Sequence, residues 1–300
     1  MNYFEQLLSK HIYSKLFKRK EAQLVANNTI WIMLDRFIRI ALGMVTGVWV
    51  ARYLGPSLFG QLSYANNFSA LFLPIATLAM DSIVVRELST NPQNKNTILG
   101  TSFIMRLVSS FIAILLSIFF VKILDNTDDM LLYVFILTSC YVFQSFDIID
   151  LFFQSLLKSK YSTYIKTFVF ILLSGVKVGL IYTQSPLWTF VLAYAVEISL
   201  GSLGLLIVYL AKGEPILMWK FDKQLAKSFL KDSIIIIVQS FSMLSLNKLD
   251  QVILGNYVDS NELGQYSVAM RMIDVLNFIP TAIYASYTPK IAESKNKSLE

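Results

Sequence analysis

Fourteen ionisable side chains stand inside long apolar runs of this 300-residue chain. The basic ones are Arg36, Arg39, Arg106, Lys166, Lys177, Lys248 and Arg271. The acidic ones are Asp35, Asp81, Asp147, Asp150, Glu197, Asp250 and Asp274. An ionised group at the centre of a membrane helix disfavours insertion by about 2.5–3.5 kcal/mol, so such a set must face a protein interior or a wet cavity. The chemistry open to it is ion pairing and the lining of a charged cavity. Asp35 stands four residues before Arg39 and can pair with it, and Arg271 and Asp274 can pair at i, i+3. Arg36 has no such neighbour. Asp147 and Asp150 share a face with Gln144 and Gln154, as a vestibule stripe or a packing contact. Lys166 and Asp81 fall near span ends, where snorkelling or a bridge to a loop is expected. Neither catalysis nor metal binding is expected: His11 is the only histidine and Cys140 the only cysteine, so histidine-based acid–base chemistry and His/Cys metal sites have no residues to build on. One cysteine also excludes an intrachain disulfide.

The elements that must position these charges are membrane helices. The chain is 55% hydrophobic and 15% charged, with a mean hydropathy of +0.56, well above a soluble domain. A crossing needs about 20 apolar residues. Eight runs qualify: 26–51, 63–85, 98–121, 130–156, 163–183, 188–211, 233–257 and 264–288. Buried strands of a soluble protein would be far shorter. The first 24 residues are polar and basic without an apolar core, so no cleavable signal peptide is expected there.

Basic residues in the connections set the orientation. One side collects seventeen Lys and Arg, from the tail (Lys10 to Lys20), Arg86, Lys95, Lys158, Lys160, Lys212 to Lys231 and Lys290 to Lys297. The other side has only Arg52 and Lys122. That asymmetry predicts a cytoplasmic N-terminus, and the net charge of +6 reads as a topology signal with no nucleic-acid partner. Lys212–Lys231 mixes lysines with Ile216, Leu217, Trp219, Phe221, Leu225, Phe229 and Leu230. This predicts an in-plane surface helix or a solvated linker. Phe4, Leu8, Ile12 and Leu16 suggest a similar helix, or a disordered arm, in the tail.

The chain repeats itself. Tyr53–Ala65 (YLGPSLFGQLSYA) and Tyr257–Ala269 (YVDSNELGQYSVA) share Tyr, Gly, Gln, Ser and Ala at an offset of 204 residues, and Phe72–Ala76 (FLPIA) is echoed by Phe278–Ala282 (FIPTA). Six spans separate the copies, so they run in the same direction, as in parallel-repeat transporters. Pro74 and Pro280 interrupt corresponding helices, marking a transport site, a bending element or a static kink. The expected organisation is a tail at 1–25, a six-helix lobe at 26–211, a cytoplasmic connection at 212–231 and part of a second lobe at 232–300. The missing four spans suggest C-terminal truncation or a lost lobe.

Residues 27–65, NNTIWIMLDRFIRIALG followed by ARYLGPSLFGQLSYA, resemble the start of Wzx-type polysaccharide and O-antigen flippases, members of the multidrug/oligosaccharidyl-lipid/polysaccharide exporter superfamily. LDQVILGNYVDSNELGQYSVAMR and DLFFQSLLKSKYSTYIK are similar to two further family segments, while Met80 departs from a frequent glycine. The resemblance implies an all-α integral membrane protein with a MATE-like bundle, about eight of its helices present. It also implies the flipping of a polyprenyl-diphosphate-linked oligosaccharide across a bacterial inner membrane by alternating access. The cargo's pyrophosphate suits guanidinium forks, which makes Arg36, Arg39, Arg106, Lys177, Lys248 and Arg271 candidates for a cationic lining. Asp35, Glu197, Asp250 and Asp274 become candidates for coupling to a proton or sodium ion, with no other cofactor. Implied partners are the lipid-linked substrate, membrane lipids, and the polysaccharide polymerase and chain-length machinery.

Rival readings are a multidrug antiporter or a peptidoglycan-precursor flippase of the same superfamily, an inactive remnant, and a membrane glycan polymerase or ligase. A multidrug carrier of cations should show an excess of acids. The short outer connections argue against the enzyme.

Overall fold

The computed structural model describes the backbone of residues 3–124 and 127–276 and the side chains of residues 33, 37–124 and 127–273. The side chains of Asp35, Arg36 and Asp274, the motif at 278–282 and Pro280 lie outside the described residues. Everything regular among the described residues is helical. Six stretches are long and apolar enough to cross a membrane: Phe37–Thr90, Pro92–Leu124, Asp128–Ser155, Lys160–Tyr182, Leu187–Ala211 and Lys223–Leu254.

The first stretch, of 54 residues, would run about 80 Å as a straight helix, far beyond a hydrocarbon core of about 30 Å. It is broken instead. Helix α1 (Tyr3–Ala70) turns at Gly55, whose φ of 71° and ψ of 170° lie outside helical space. Glycine reaches that conformation without a Cβ penalty, and Pro56 suits the first position of the new leg because its missing N–H is unpaired there anyway. A connection at 52–62 was expected from hydropathy; the chain turns over one residue. Tyr53 pins the corner, its hydroxyl donating to the Ser185 carbonyl at 3.0 Å.

A second break follows. Beyond Ala70 come the single turn α2 (Leu73–Ala76) and then α3 (Asp81–Thr90), with Leu78 and Ala79 between them at φ of 53° and 44°. Unwound backbone at membrane depth is tolerated where protein covers it, and here Leu78 and Met80 are buried. The interruption expected from Pro74 is present in this copy.

The rest of the lobe is α4 (Lys95–Leu124), α5 (Asp128–Gln144), α6 (Ile148–Ser155), α7 (Lys160–Tyr182) and α8 (Leu187–Ala211). In lipid, helices associate through close packing and hydrogen bonds, because lipid tails are as apolar as the side chains. Accordingly α4 turns Ser109, Ser110, Ala113 and Ser117 inward. Ser110 donates to the Tyr141 carbonyl at 2.9 Å, and Ser117 reaches Thr138 at 3.3 Å. The opposite face of α4 leaves Phe111, Leu115, Phe119 and Ile123 exposed, which suits contact with lipid.

Of the two forms open to the segment after α8, a surface helix or a linker, residues 212–222 form a linker and the helix resumes at Lys223. The linker makes one 3-10 turn, Ile216–Met218, and then runs extended to Asp222, which caps α9 (Lys223–Leu254) by accepting from the Leu225 amide at 2.8 Å. The backbone hydrogen bonds a surface helix would have kept to itself go to α4 instead. Lys220 N–H donates to the Asn96 carbonyl at 3.1 Å and Asp222 N–H to Thr101 Oγ1 at 3.0 Å. Trp219 tucks against Phe103 and Tyr209. Helix α10 (Ser260–Leu276) then lies along α1.

Candidate functional site

The two repeat copies meet face to face. Gly60 and Gly264, equivalent in the motif, both sit at this contact. A Cβ on Gly60 would collide with the Ser260 carbonyl and lie 3.0 Å from the Gly264 nitrogen; one on Gly264 would collide with the Pro56 carbonyl. Ser260 is Pro56 shifted by the same 204 residues, so each glycine touches the counterpart of what the other touches. That is an isologous contact about a pseudo-two-fold axis.

Beside this contact lies a cavity of about 260 Å³. The second leg of α1 supplies Phe59, Leu62, Ser63, Asn66 and Asn67, a stripe at helical i, i+3/i+4, i+7/i+8 spacing. Lys248 and Gln251 come from α9, Ser267 and Arg271 from α10, and Tyr194 from α8. Among the described residues its lining holds no acid. Asn67 Nδ2 donates to Gln251 Oε1 at 2.7 Å, and Ser267 Oγ donates to the same oxygen at 3.0 Å. Arg271 donates to the Gly43 carbonyl at 3.3 Å, one of the several bonds that its five N–H groups can make. The cavity can therefore receive an anion through guanidinium and ammonium groups held beside neutral amides.

A second recess, of about 160 Å³, lies within the first lobe and is lined by Arg39, Gln144, Asp147, Lys166, Glu197, Ile198, Gly201 and Ser202. Its charges are largely bound to one another. Lys166 Nζ bridges Asp150 at 2.7 Å and Asp147 at 3.4 Å, and Ser202 Oγ donates to Asp147 at 2.7 Å. Lys177 meets Glu197 at 2.7 Å and lies 3.6 Å from the centre of the Tyr194 ring. Arg39 stacks over Phe170 at 5.3 Å. Snorkelling of Lys166 or a bridge to a loop was expected; it turns instead to the two carboxylates of Asp147 and Asp150.

The expected cationic lining is thus distributed. Lys248 and Arg271 share the cavity between the repeats. Arg39 lies in the second recess. Arg106 is buried and paired with Asp81 at the start of α3, where the helix N-terminus also favours the carboxylate. Lys177 and Glu197, expected to serve substrate and coupling ion respectively, are partners. Asp250 stands beside the cavity and accepts from the Tyr266 hydroxyl at 2.7 Å. Among the described residues no cluster of His, Cys, Asp and Glu could hold a metal. Charge counting alone overlooked Asn66, Asn67, Gln251 and Tyr194. The stripe 59–67 and the serines shared by the repeats, Ser63 and Ser267, were the signals that could have found them.

A helical membrane protein with a polar cavity between parallel repeats has the architecture of a transporter. A family model described as polysaccharide biosynthesis protein matches residues 25–295. The chain belongs to this family, that of Wzx-type polysaccharide flippases, whose members are transporters and not enzymes. No curated protein and no solved structure gives a significant match.

Proposed function

We propose that the chain flips a polyprenyl-diphosphate-linked oligosaccharide across the bacterial inner membrane, for O-antigen, capsule or exopolysaccharide synthesis. The observation carrying this reading is the cavity between the repeats, where Lys248 and Arg271 stand with no carboxylate among the described lining residues. A diphosphate needs cations, and arginine can grip two of its oxygens at once. A cationic drug would be repelled there.

Size then requires motion. About 260 Å³ is below the 300–1,000 Å³ common for drug-sized ligands, so an oligosaccharide enters only when the repeats part. With the N-terminus cytoplasmic, Gly55 lies outward and the Gly60–Gly264 contact closes the outer side. Rocking of one repeat against the other about that contact would open it, while the lipid tail stays in the bilayer. Asp250 beside the cavity, Glu197 in the first lobe, and Asp35 and Asp274 are the acids through which a proton or sodium ion would couple.

Complementation of a flippase-deficient strain tests the reading. Arg271→Ala should abolish surface polysaccharide at unchanged protein abundance, and Arg271→Lys should restore part of it. Full polysaccharide with Arg271→Ala would refute a diphosphate site at this cavity.

A further inference from the structure

Carried beyond the matched motif, the 204-residue offset pairs Gly47 with Gln251 and Asn67 with Arg271. The structure treats these positions as equivalents. Across the repeats, Asn67 bonds to Gln251 at 2.7 Å. The mirror-image contact sets Arg271 against Gly47, where an added Cβ would lie 2.6 Å from Arg271 Nε and collide with its guanidinium carbon. On each side of the axis a long side chain meets a short one: Gln251 meets Asn67, and Arg271 meets a glycine. The exchange gives the cavity two kinds of polar group, cations at Lys248 and Arg271 and amides at Gln251 and Asn67.

The amide side has its own donor and acceptor pattern. Gln251 Oε1 accepts from both Asn67 and Ser267, so the Gln251 Nε2 group and Asn67 Oδ1 take part in neither bond. Gln251 is 4% exposed and Asn67 8%, and both line the cavity. A donor and an acceptor on two bonded residues of one cavity suit a hydroxyl, which can accept from one and donate to the other. A fully ionised phosphate has no proton to give Asn67 Oδ1. The Lys248 and Arg271 side suits the phosphate.

We propose that the cavity is a two-part site for a sugar diphosphate. Lys248 and Arg271 hold the diphosphate, and Gln251 and Asn67 read hydroxyls of the sugar attached to it. Gly47 is a positioning residue that keeps a seat open for the Arg271 guanidinium. This rests on the flippase reading and adds to it which residues of the cavity read the sugar.

The test is calorimetric binding to the detergent-purified 300-residue chain, with farnesyl diphosphate and farnesyl-diphospho-N-acetylglucosamine as probes. The sugar should tighten binding about tenfold, the worth of one or two net hydrogen bonds. Gln251→Leu should lose that gain. Arg271→Gln should weaken both probes alike and keep the gain, and Gly47→Val, which fills the seat, should behave like Arg271→Gln. If Gln251→Leu does not elute as a folded species, Ser267→Ala, which frees one bond to Gln251, should shrink the gain in its place. Equal weakening of both probes by Gln251→Leu or Ser267→Ala, or a gain that survives them, would overturn the two-part site. Wild-type binding of farnesyl diphosphate with no gain from the sugar would sink this site alone. Binding of neither probe would sink the flippase reading with it.

Discussion

Gly60 and Gly264 touch backbone to backbone, and neither position has room for a single methyl group. Their motif places them at the same point of each repeat, so one residue type repeated 204 positions apart produces both halves of one contact. Small residues let membrane helices approach this closely, and the isologous arrangement doubles the effect of the choice.

Gly60→Ala should therefore lower the thermal midpoint in detergent, since overpacking costs about 1–3 kcal/mol. Gly175→Ala is the matched control: an added Cβ there meets nothing within 4 Å, and alanine is the better helix former by up to about 1 kcal/mol. A fall of equal size in both variants would show that the contact carries no special constraint.

Lys177 and Glu197 form a buried pair. Lys177→Met should destabilise the protein by about 3–5 kcal/mol, because it leaves a carboxylate uncompensated, while the double variant Lys177→Met/Glu197→Gln should recover most of that loss. Chemical unfolding read by helix content separates the two outcomes. A double variant as unstable as the single one would mean that Glu197 is held by other groups.

Membrane orientation is open to labelling. Cys140 is buried, so Cys140→Ala gives a background without reactive thiols. Single cysteines at Asp128 and Asn261 should react with an impermeant maleimide in intact cells, and cysteines at Lys158 and Lys223 only after permeabilisation. Labelling of Lys223 from outside would reverse the orientation used for the transport cycle.

Hydropathy marked long crossings because each needs a long apolar run, although the eighth run, 264–288, is not among the six stretches found within the described residues; the repeat was visible because the same contact needs the same glycine twice. Partnerships were harder to read. Arg106 finds Asp81 only because the chain unwinds at Leu78 and Ala79, and two apolar residues at positive φ leave no local signal. Lys177 and Glu197 lie on different helices, where spacing rules do not reach. Charge alone marked Lys248 and Arg271, yet Gly47 became legible only once the structure set it opposite Arg271. The extended stretch around Trp219 stayed open between helix and linker since its alternation of lysine and apolar residues fits either form. What decides is tertiary, the hydrogen bonds from Lys220 and Asp222 to α4.

The most direct measurement is flipping in proteoliposomes, with a fluorescent polyprenyl-diphosphate-linked disaccharide and an impermeant quencher. The purified protein should make the inner-leaflet pool accessible to the quencher. The double variant Lys248→Ala/Arg271→Ala should remove that activity, while Lys177→Met/Glu197→Gln, if folded, keeps the cavity lysine and arginine and should retain a part of it. Flipping by Lys248→Ala/Arg271→Ala at the wild-type rate would contradict passage of the diphosphate head through the cavity between the repeats.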